Sequence, residues 1–235
     1  MQSLKAKRVL VTGASAGIGQ ATALRFAGAG ASVVATGRSA AGLRALDDPA
    51  VTTLVGDLTD RAFVAGLAEA AGAVDILVNN AGALKHAPFL EADPDDWARV
   101  FEINVQALLV LTQLIARGMA ARRSGHVINL SSMLARRVAP VTTVYSASKH
   151  AVAAISLGLR QELRAYNIRV TEIAPGVAGT SVFRDLEDPA LVARYATPKF
   201  EPLTATQIAE AILFAARTDP NACPDLIEIK AIGQE

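Results

Sequence analysis

Val9-Leu10-Val11-Thr12-Gly13-Ala14-Ser15-Ala16-Gly17-Ile18-Gly19 decides how the rest of the chain is read. The first four residues are a short apolar run closed by glycine, which predicts a buried strand. An amphipathic helix is expected over residues 18–29, so the glycines lie between strand and helix. That arrangement presents free backbone N–H groups and the positive end of a helix to an anion, above all a phosphate. Gly13, Gly17 and Gly19 would let the backbone approach a pyrophosphate and let the helix pack close to the strand, with Ser15 and Ile18 in the same turn. The alternative is an ordinary tight turn. The spacing is T-G-x-x-x-G-x-G, not the commoner G-x-G-x-x-G.

Working outward, strands are expected at 31–35, 51–55, 74–78, 125–129, 168–173 and 226–229, with helical stretches between most of them. Such alternation predicts an α/β protein with a parallel sheet and helices on both faces. No repeat, linker or low-complexity tract divides residues 1–235, which argues for a single domain. The strand ends carry the candidate binding residues, as open α/β sheets require. The second ends at Gly37-Arg38, where dinucleotide folds often place an acid for the adenosine 2′-OH. The missing acid and the present guanidinium favour a 2′-phosphate, hence NADP rather than NAD. Asp57, followed by Leu58, can cap the helix at 60–71, hydrogen-bond an adenine amino group, or both. Asn79-Asn80-Ala81-Gly82 can line a cofactor crevice or lock a turn. Ala174-Pro175-Gly176 and then Thr180 follow the sixth strand.

Asp93-Pro94-Asp95-Asp96 is a strong helix start, and the helix should run, with a kink, to about residue 123. Asn104 lies on its apolar face and must find partners or cost roughly 1–3 kcal/mol, so it is a structural bracket or part of a proton path. A second long helix is expected over 143–166 and holds Tyr145 and Lys149, four apart and on one face. A nearby ammonium favours phenolate and should lower the tyrosine pKa from its usual value near ~10. Such a phenol can exchange a proton with a hydroxyl or carbonyl oxygen. Alone, the pair reads more readily as a half-buried aromatic beside a solvated lysine. Ser132 stands 13 residues before Tyr145 and could return to it as a donor to a carbonyl oxygen. Arg136 and Arg137, in the loop between, meet a substrate carboxylate or solvent. Lys85 and His86 read as surface residues. Residues 182–203, with mixed charge, three aromatics and three prolines, read as a lid over a site, and Thr204 with Gln207 as a capping box.

The chain has 235 residues, enough for one substantial core, and 51% are hydrophobic. A net charge of +1 gives no field favouring nucleic acid. One cysteine, Cys223, excludes an internal disulfide and a cysteine metal cluster, and His86, His126 and His150 lack ligand spacing, so no metal is expected. No signal-peptide pattern and no stretch long enough for a bilayer was read in the sequence, which leads to the expectation of a soluble cytoplasmic protein.

Taken together, these residues resemble the short-chain dehydrogenase/reductase superfamily. The resemblance covers nearly the whole chain and rests on Thr12-Gly13-x-x-x-Gly17-Ile18-Gly19, Asn79-Asn80-Ala81-Gly82, Asn104, Ser132, Tyr145-x-x-x-Lys149 and Pro175-Gly176, in the family's order. It implies a Rossmann-type, doubly wound parallel sheet of seven strands and hydride transfer between a nicotinamide and a small carbonyl or alcohol, such as a ketone, an aldehyde or a hydroxy acid. By resemblance Tyr145 is the general acid/base, Ser132 polarises the substrate oxygen, and Lys149 holds the nicotinamide ribose and tunes the tyrosine. Asn104 positions a water in a relay through Lys149. The chain departs from the pattern at Ala16, where NADP members often carry a basic residue, and at Met133-Leu134-Ala135, where many relatives have a glycine. A homo-oligomer, dimer or tetramer, built on the two long helices is also implied. The competing readings are a non-enzymatic NADP(H)-binding sensor on the same fold and a nucleotide-sugar epimerase or dehydratase, which would need a larger C-terminal substrate domain.

Overall fold

β1 (Arg8–Thr12) lies at the centre of the molecule because its side chains are apolar on both faces: Val9 and Val11 point to one layer, Leu10 to the other. The computed structural model describes residues 1–179, 189 and 199–234. Among them, β2 (Ser32–Gly37), β3 (Val51–Val55), β4 (Ile76–Asn79), β5 (Gly125–Leu130), β6 (Ile168–Pro175) and β7 (Leu226–Ile229) join β1 in one sheet of order β3-β2-β1-β4-β5-β6-β7. Every pairing is parallel. This is the seven-stranded, doubly wound sheet expected from the sequence. The order reverses between β1 and β4, so the loops leaving them diverge and open a crevice at their C-terminal ends.

Helices cover both faces. On one, Phe26 of α1 (Gly17–Gly28) and Ile208 and Ile212 of α7 (Ala205–Arg217) pack on Val9, Val11, Val33 and Ile128. On the other, Leu67 of α3 (Arg61–Ala71) and Leu111, Ile115 and Met119 of α5 (Leu108–Arg122) pack on Leu10, Leu77, Val127 and Val170. α6 (Thr143–Leu163) lies beside α5 on this face and ends in a 3-10 turn at Arg164–Tyr166. Thr204 and Gln207 form the capping box at α7 that their spacing predicts. A short α2 (Ala40–Arg44), capped by Ser39, follows β2.

Two local expectations are corrected and one is sharpened. Asp57 does not cap α3: Asp60 does, accepting from the N–H groups of Ala62 and Phe63. The kink in the long helix is a π-helical segment, Glu102–Ala107, between α4 (Pro94–Phe101) and α5. The continuous run Pro94–Arg122 is, by length and composition, long and apolar enough to cross a membrane, contrary to the sequence reading. Here it packs Leu111, Ile115 and Met119 into the core. Thr180 and most of the expected lid at 182–203 lie outside the described residues. Its far end is tied to β6's exit, since Leu203 N donates to Val177 O (2.9 Å) and Gly179 N to Leu203 O (2.8 Å).

Candidate active site

The glycine-rich turn is shaped by what its residues lack. Gly13 has φ +65° and Gly17 φ +55°, left-handed conformations that glycine takes without strain. A Cβ on Gly19 would stand 2.3 Å from Gly13 O and 2.4 Å from Asn80 Nδ2, so only glycine lets α1 sit this close to the turn. Thr12 and Asn80 lock the turn to the end of β4. Thr12 Oγ1 accepts from the N–H groups of Asn80 and Ala81, both at 3.0 Å, and Asn80 Nδ2 donates to Thr12 O (2.9 Å) and Gly13 O (3.2 Å). No side chain caps α1. Its first N–H groups, behind Ser15, Ala16, Gly17 and Ile18, therefore border a cavity of about 800 Å³ that follows the strand ends. An uncapped helix N-terminus beside left-handed glycines fits a pyrophosphate.

The cavity runs from Arg38, Asp57 and Leu58 at one end, past Gly13, Asn80, Ala81 and Gly82, to Ser132, Tyr145, Lys149, Pro175 and Gly176 at the other. Gly19 and Asn104 support this wall from behind. Asn79 is a core bracket, donating to Thr112 Oγ1 (2.8 Å) and Asn129 Oδ1 (2.9 Å) rather than lining the crevice. At the first end Arg38 is exposed beside Gly37 and Ser39, and no acid follows β2. Asp57 Oδ1 accepts from Thr59 N and Oγ1, and Oδ2 from Arg99 Nη2 at 2.8 Å. Burial pushes its carboxyl up, but Thr59 and Arg99 together hold it below the usual value.

At the other end α6 carries Tyr145 and Lys149 on one face, with Lys149 Nζ 5.7 Å from the phenol ring centroid. Nζ donates to Leu130 O at 2.9 Å, at the end of β5. The next turn brings Ser132 onto the same cavity wall as Tyr145, where its hydroxyl favours the phenolate. Loop 131–142 thus returns the serine to the tyrosine, as its spacing allows. The expected lowering of the tyrosine pKa is not found. Burial pushes the phenol up to about 12, and the nearby Ser132 hydroxyl only partly opposes this. Burial likewise brings Lys149 down to about 8, against the pull of the Glu172 carboxylate. Loss of water is the largest effect at both groups.

Asn104 sits buried in the π segment, bonded at every polar atom. Oδ1 accepts from Ala83 N (2.7 Å), and Nδ2 donates to Ala83 O (2.9 Å) and Ser148 Oγ (2.9 Å). Ser148 in turn donates to Tyr145 O (2.7 Å). The amide side chain is therefore a bracket that ties the π segment to α6 between the tyrosine and the lysine. A Cβ on Gly82 would meet both Asn104 Oδ1 (3.2 Å) and Lys149 Nζ (3.6 Å), so that glycine keeps the two apposed.

Arg136 does not face the cavity as a reader of carboxylates. It forks onto Glu172, with Nη1 to Oε1 at 2.9 Å and Nη2 to Oε2 at 2.8 Å. Arg137 and His86 line the cavity. Three residues were missed in the sequence. Glu172 stands on β6 at the alternate position from Val170, where a core side chain is expected, and that break in pattern was its signal. Arg99 had none. Gln234 also lines the cavity, accepting from Val177 N (2.9 Å) and lying against Met133. Among the described residues no cluster of His, Cys, Asp or Glu could hold a metal.

Comparison with known proteins agrees with this geometry. The sequence pattern of the short chain dehydrogenase family matches residues 7–190, so the chain belongs to that family. It is an NAD(P)-dependent oxidoreductase acting on CH–OH or C=O groups. The chain is similar to an L-xylulose reductase of Mesocricetus auratus, 38% identical over 184 residues that span 77% of this chain and 75% of that protein. Among solved structures it is similar to the closed form of a serine dehydrogenase complexed with NADP+, with TM-score 0.90, 31% identity, and 97% and 96% of the two chains covered. A serine dehydrogenase from Escherichia coli aligns with TM-score 0.84 and 30% identity, over 97% of this chain and 99% of that one.

Proposed function

We propose that this protein is an NADP(H)-dependent reductase or dehydrogenase of a small carbonyl or alcohol, with Tyr145 as its acid/base. The observation that carries the reading is the meeting of Tyr145, Ser132 and Lys149 on the same cavity wall that continues to the glycine turn and Arg38. The N–H groups of the Gly13–Gly19 turn and α1 would hold the pyrophosphate, and Arg38 the 2′-phosphate, as the likeness to an NADP+-bound dehydrogenase supports. When bound, the nicotinamide supplies or accepts the hydride. With its pKa pushed up to about 12, Tyr145 is protonated at neutral pH and ready to donate to a carbonyl oxygen. Ser132 donates to the same oxygen and stabilises its developing charge. Lys149 holds the nicotinamide ribose, and Asn104 keeps α6 and the π segment in register for a proton path past Lys149.

The working form is a homo-oligomer through the two long helices. Leu109 of α5 and Leu157 of α6 are exposed apolar residues, at 39% and 54%, and Gly158 has open space above it. The decisive experiment follows nicotinamide absorbance while a panel of aldehydes, ketones, hydroxy acids and alcohols is offered with NADPH, NADH, NADP+ and NAD+. Turnover with the phosphorylated pair is expected. Equal affinity for both coenzymes would overturn the reading of Arg38.

A further inference from the structure

The buried carboxylate of Glu172 lies beside the Tyr145 end of the cavity, and the roles above assign it no part in holding the site together. It stands on β6, 4% exposed, on the face that α6 covers and that Val170 shares with the apolar core. A carboxylate in such a place is costly unless every oxygen is paired. Here both are. Oε1 accepts from Ser131 Oγ and from Arg136 Nη1 (2.9 Å), and Oε2 accepts from Arg136 Nη2 (2.8 Å). Its two partners bracket the short 3-10 turn Met133–Ala135, which Ser132 caps by accepting from Leu134 N at 3.1 Å. Ser131 N also donates to Ile173 O at 2.9 Å, extending the β5–β6 ladder by one residue. The loop is thus fastened to β6 immediately before Ser132 and again four residues after it. A forked guanidinium–carboxylate pair fixes angle as well as distance, which a single hydrogen bond does not.

We propose that Glu172 is a positioning residue for Ser132: with Arg136 and Ser131 it latches both ends of the serine turn to β6 and so sets the hydroxyl against Tyr145. This rests on the reading of Ser132 as the group that orients the substrate oxygen. Displacing a reacting hydroxyl by about an ångström costs on the order of 100-fold in rate, so a loosened latch should be visible in turnover.

The test compares the full-length chain with Glu172→Gln, Arg136→Met, Arg136→Lys, Ser132→Ala and the double variant Glu172→Gln/Ser132→Ala. It uses the carbonyl substrate from the panel that turns over fastest. Glu172→Gln is expected to lower kcat by about 10- to 100-fold while the Kd for the coenzyme stays within about twofold. Hydrogen–deuterium exchange over residues 131–137 should become about tenfold faster, with exchange in α1 unchanged. Arg136→Lys should recover part of the loss seen in Arg136→Met, and it keeps the test alive if the latter does not fold. In the absence of the Ser132 hydroxyl, Glu172→Gln should cost less than about twofold more, because it acts through that hydroxyl. A folded Glu172→Gln protein with parental kcat, or a loss just as large without Ser132, overturns the proposal. If Ser132→Ala itself turns over like the parent, the assignment of Ser132 fails and the positioning role fails with it. If Ser132→Ala is inactive and Glu172→Gln is not, the latch alone is wrong.

Discussion

The two ends of the cavity are built in opposite ways. The glycine-turn end works by absence: Gly13 and Gly17 adopt φ values that side chains resist, and Gly19 occupies a space with no room for a Cβ. The groups proposed to bind there are backbone N–H donors. The other end works by presence: Ser132, Tyr145, Lys149, Asn104 and Ser148 crowd together, with Asn104 bonded to Ser148, Ser148 to Tyr145 O, and Lys149 to Leu130 O. The difference predicts distinct failures. Adding an atom to the first end should damage coenzyme affinity and stability together. Removing one from the second should damage rate and leave affinity alone.

Tyr145→Phe tests the second half of this contrast and carries the largest effect. Losing the phenolic proton should lower kcat by about 1,000-fold, within the range seen for general acids. Coenzyme affinity, read by fluorescence titration, should stay within about twofold. A parallel fall in affinity would show that the two ends are not separable. Gly19→Ala tests the first half. Its Cβ would lie 2.3 Å from Gly13 O, so α1 must move away from the turn. Overpacking of this kind costs about 1–3 kcal/mol, measurable by urea unfolding, and coenzyme should bind at least tenfold more weakly. A variant as stable as the parent would mean that the turn yields easily.

The same contrast explains which parts of the site could be read in the sequence. Glycine spacing, the Tyr145–Lys149 turn and the caps at Asp93 and Thr204 are local patterns, settled within a few residues. Asn104 was legible as an anomaly, an amide on an apolar face, although its π segment was not, because a widened turn leaves no mark on spacing. The Arg136–Glu172 pair joins residues 36 apart and exists only because β5 and β6 align Leu130 with Ile173. Asp57 meets Arg99 across 42 residues for the same kind of reason. The tyrosine's pKa is not legible in the sequence because the ammonium is a local feature whereas burial is a property of the whole fold.

Arg38→Ala refines the glycine-turn end. It should weaken NADP(H) by about tenfold, roughly 1.4 kcal/mol, and leave NAD(H) unchanged. The converse substitution, Gly37→Asp, is less simple than the sequence suggests. A Cβ there would stand 2.9 Å from Ser15 Oγ and 3.0 Å from Ser15 Cβ. Alone it should therefore weaken both coenzymes, with a preference for NAD emerging only when Ser15→Gly makes room. A single Gly37→Asp variant that binds NAD tightly would show that Ser15 moves freely.

The smallest effect separates the ends by pH. Lys149 titrates at about 8 in the folded chain and near 10.5 when unfolded, so between those values the unfolded state binds more protons. Stability should therefore rise with pH from about 8, by at most about 1.4 kcal/mol per unit. Tyr145 acts in the opposite sense. Its folded value of about 12 lies above the unfolded 10.0, so the folded state holds more protons between them and stability should fall in that window. The sum is a maximum near pH 10. Buried His126 titrates well below 6.5 in the folded chain and adds only an acid-side loss. Lys149→Met should flatten the rise between pH 8 and 10 in urea-unfolding curves. Gly19→Ala should keep it in full, since the turn it disrupts holds no group that titrates there. A slope that vanished in Gly19→Ala would mean that enclosure of the lysine depends on the glycine turn, and the two ends would then be one cooperative unit.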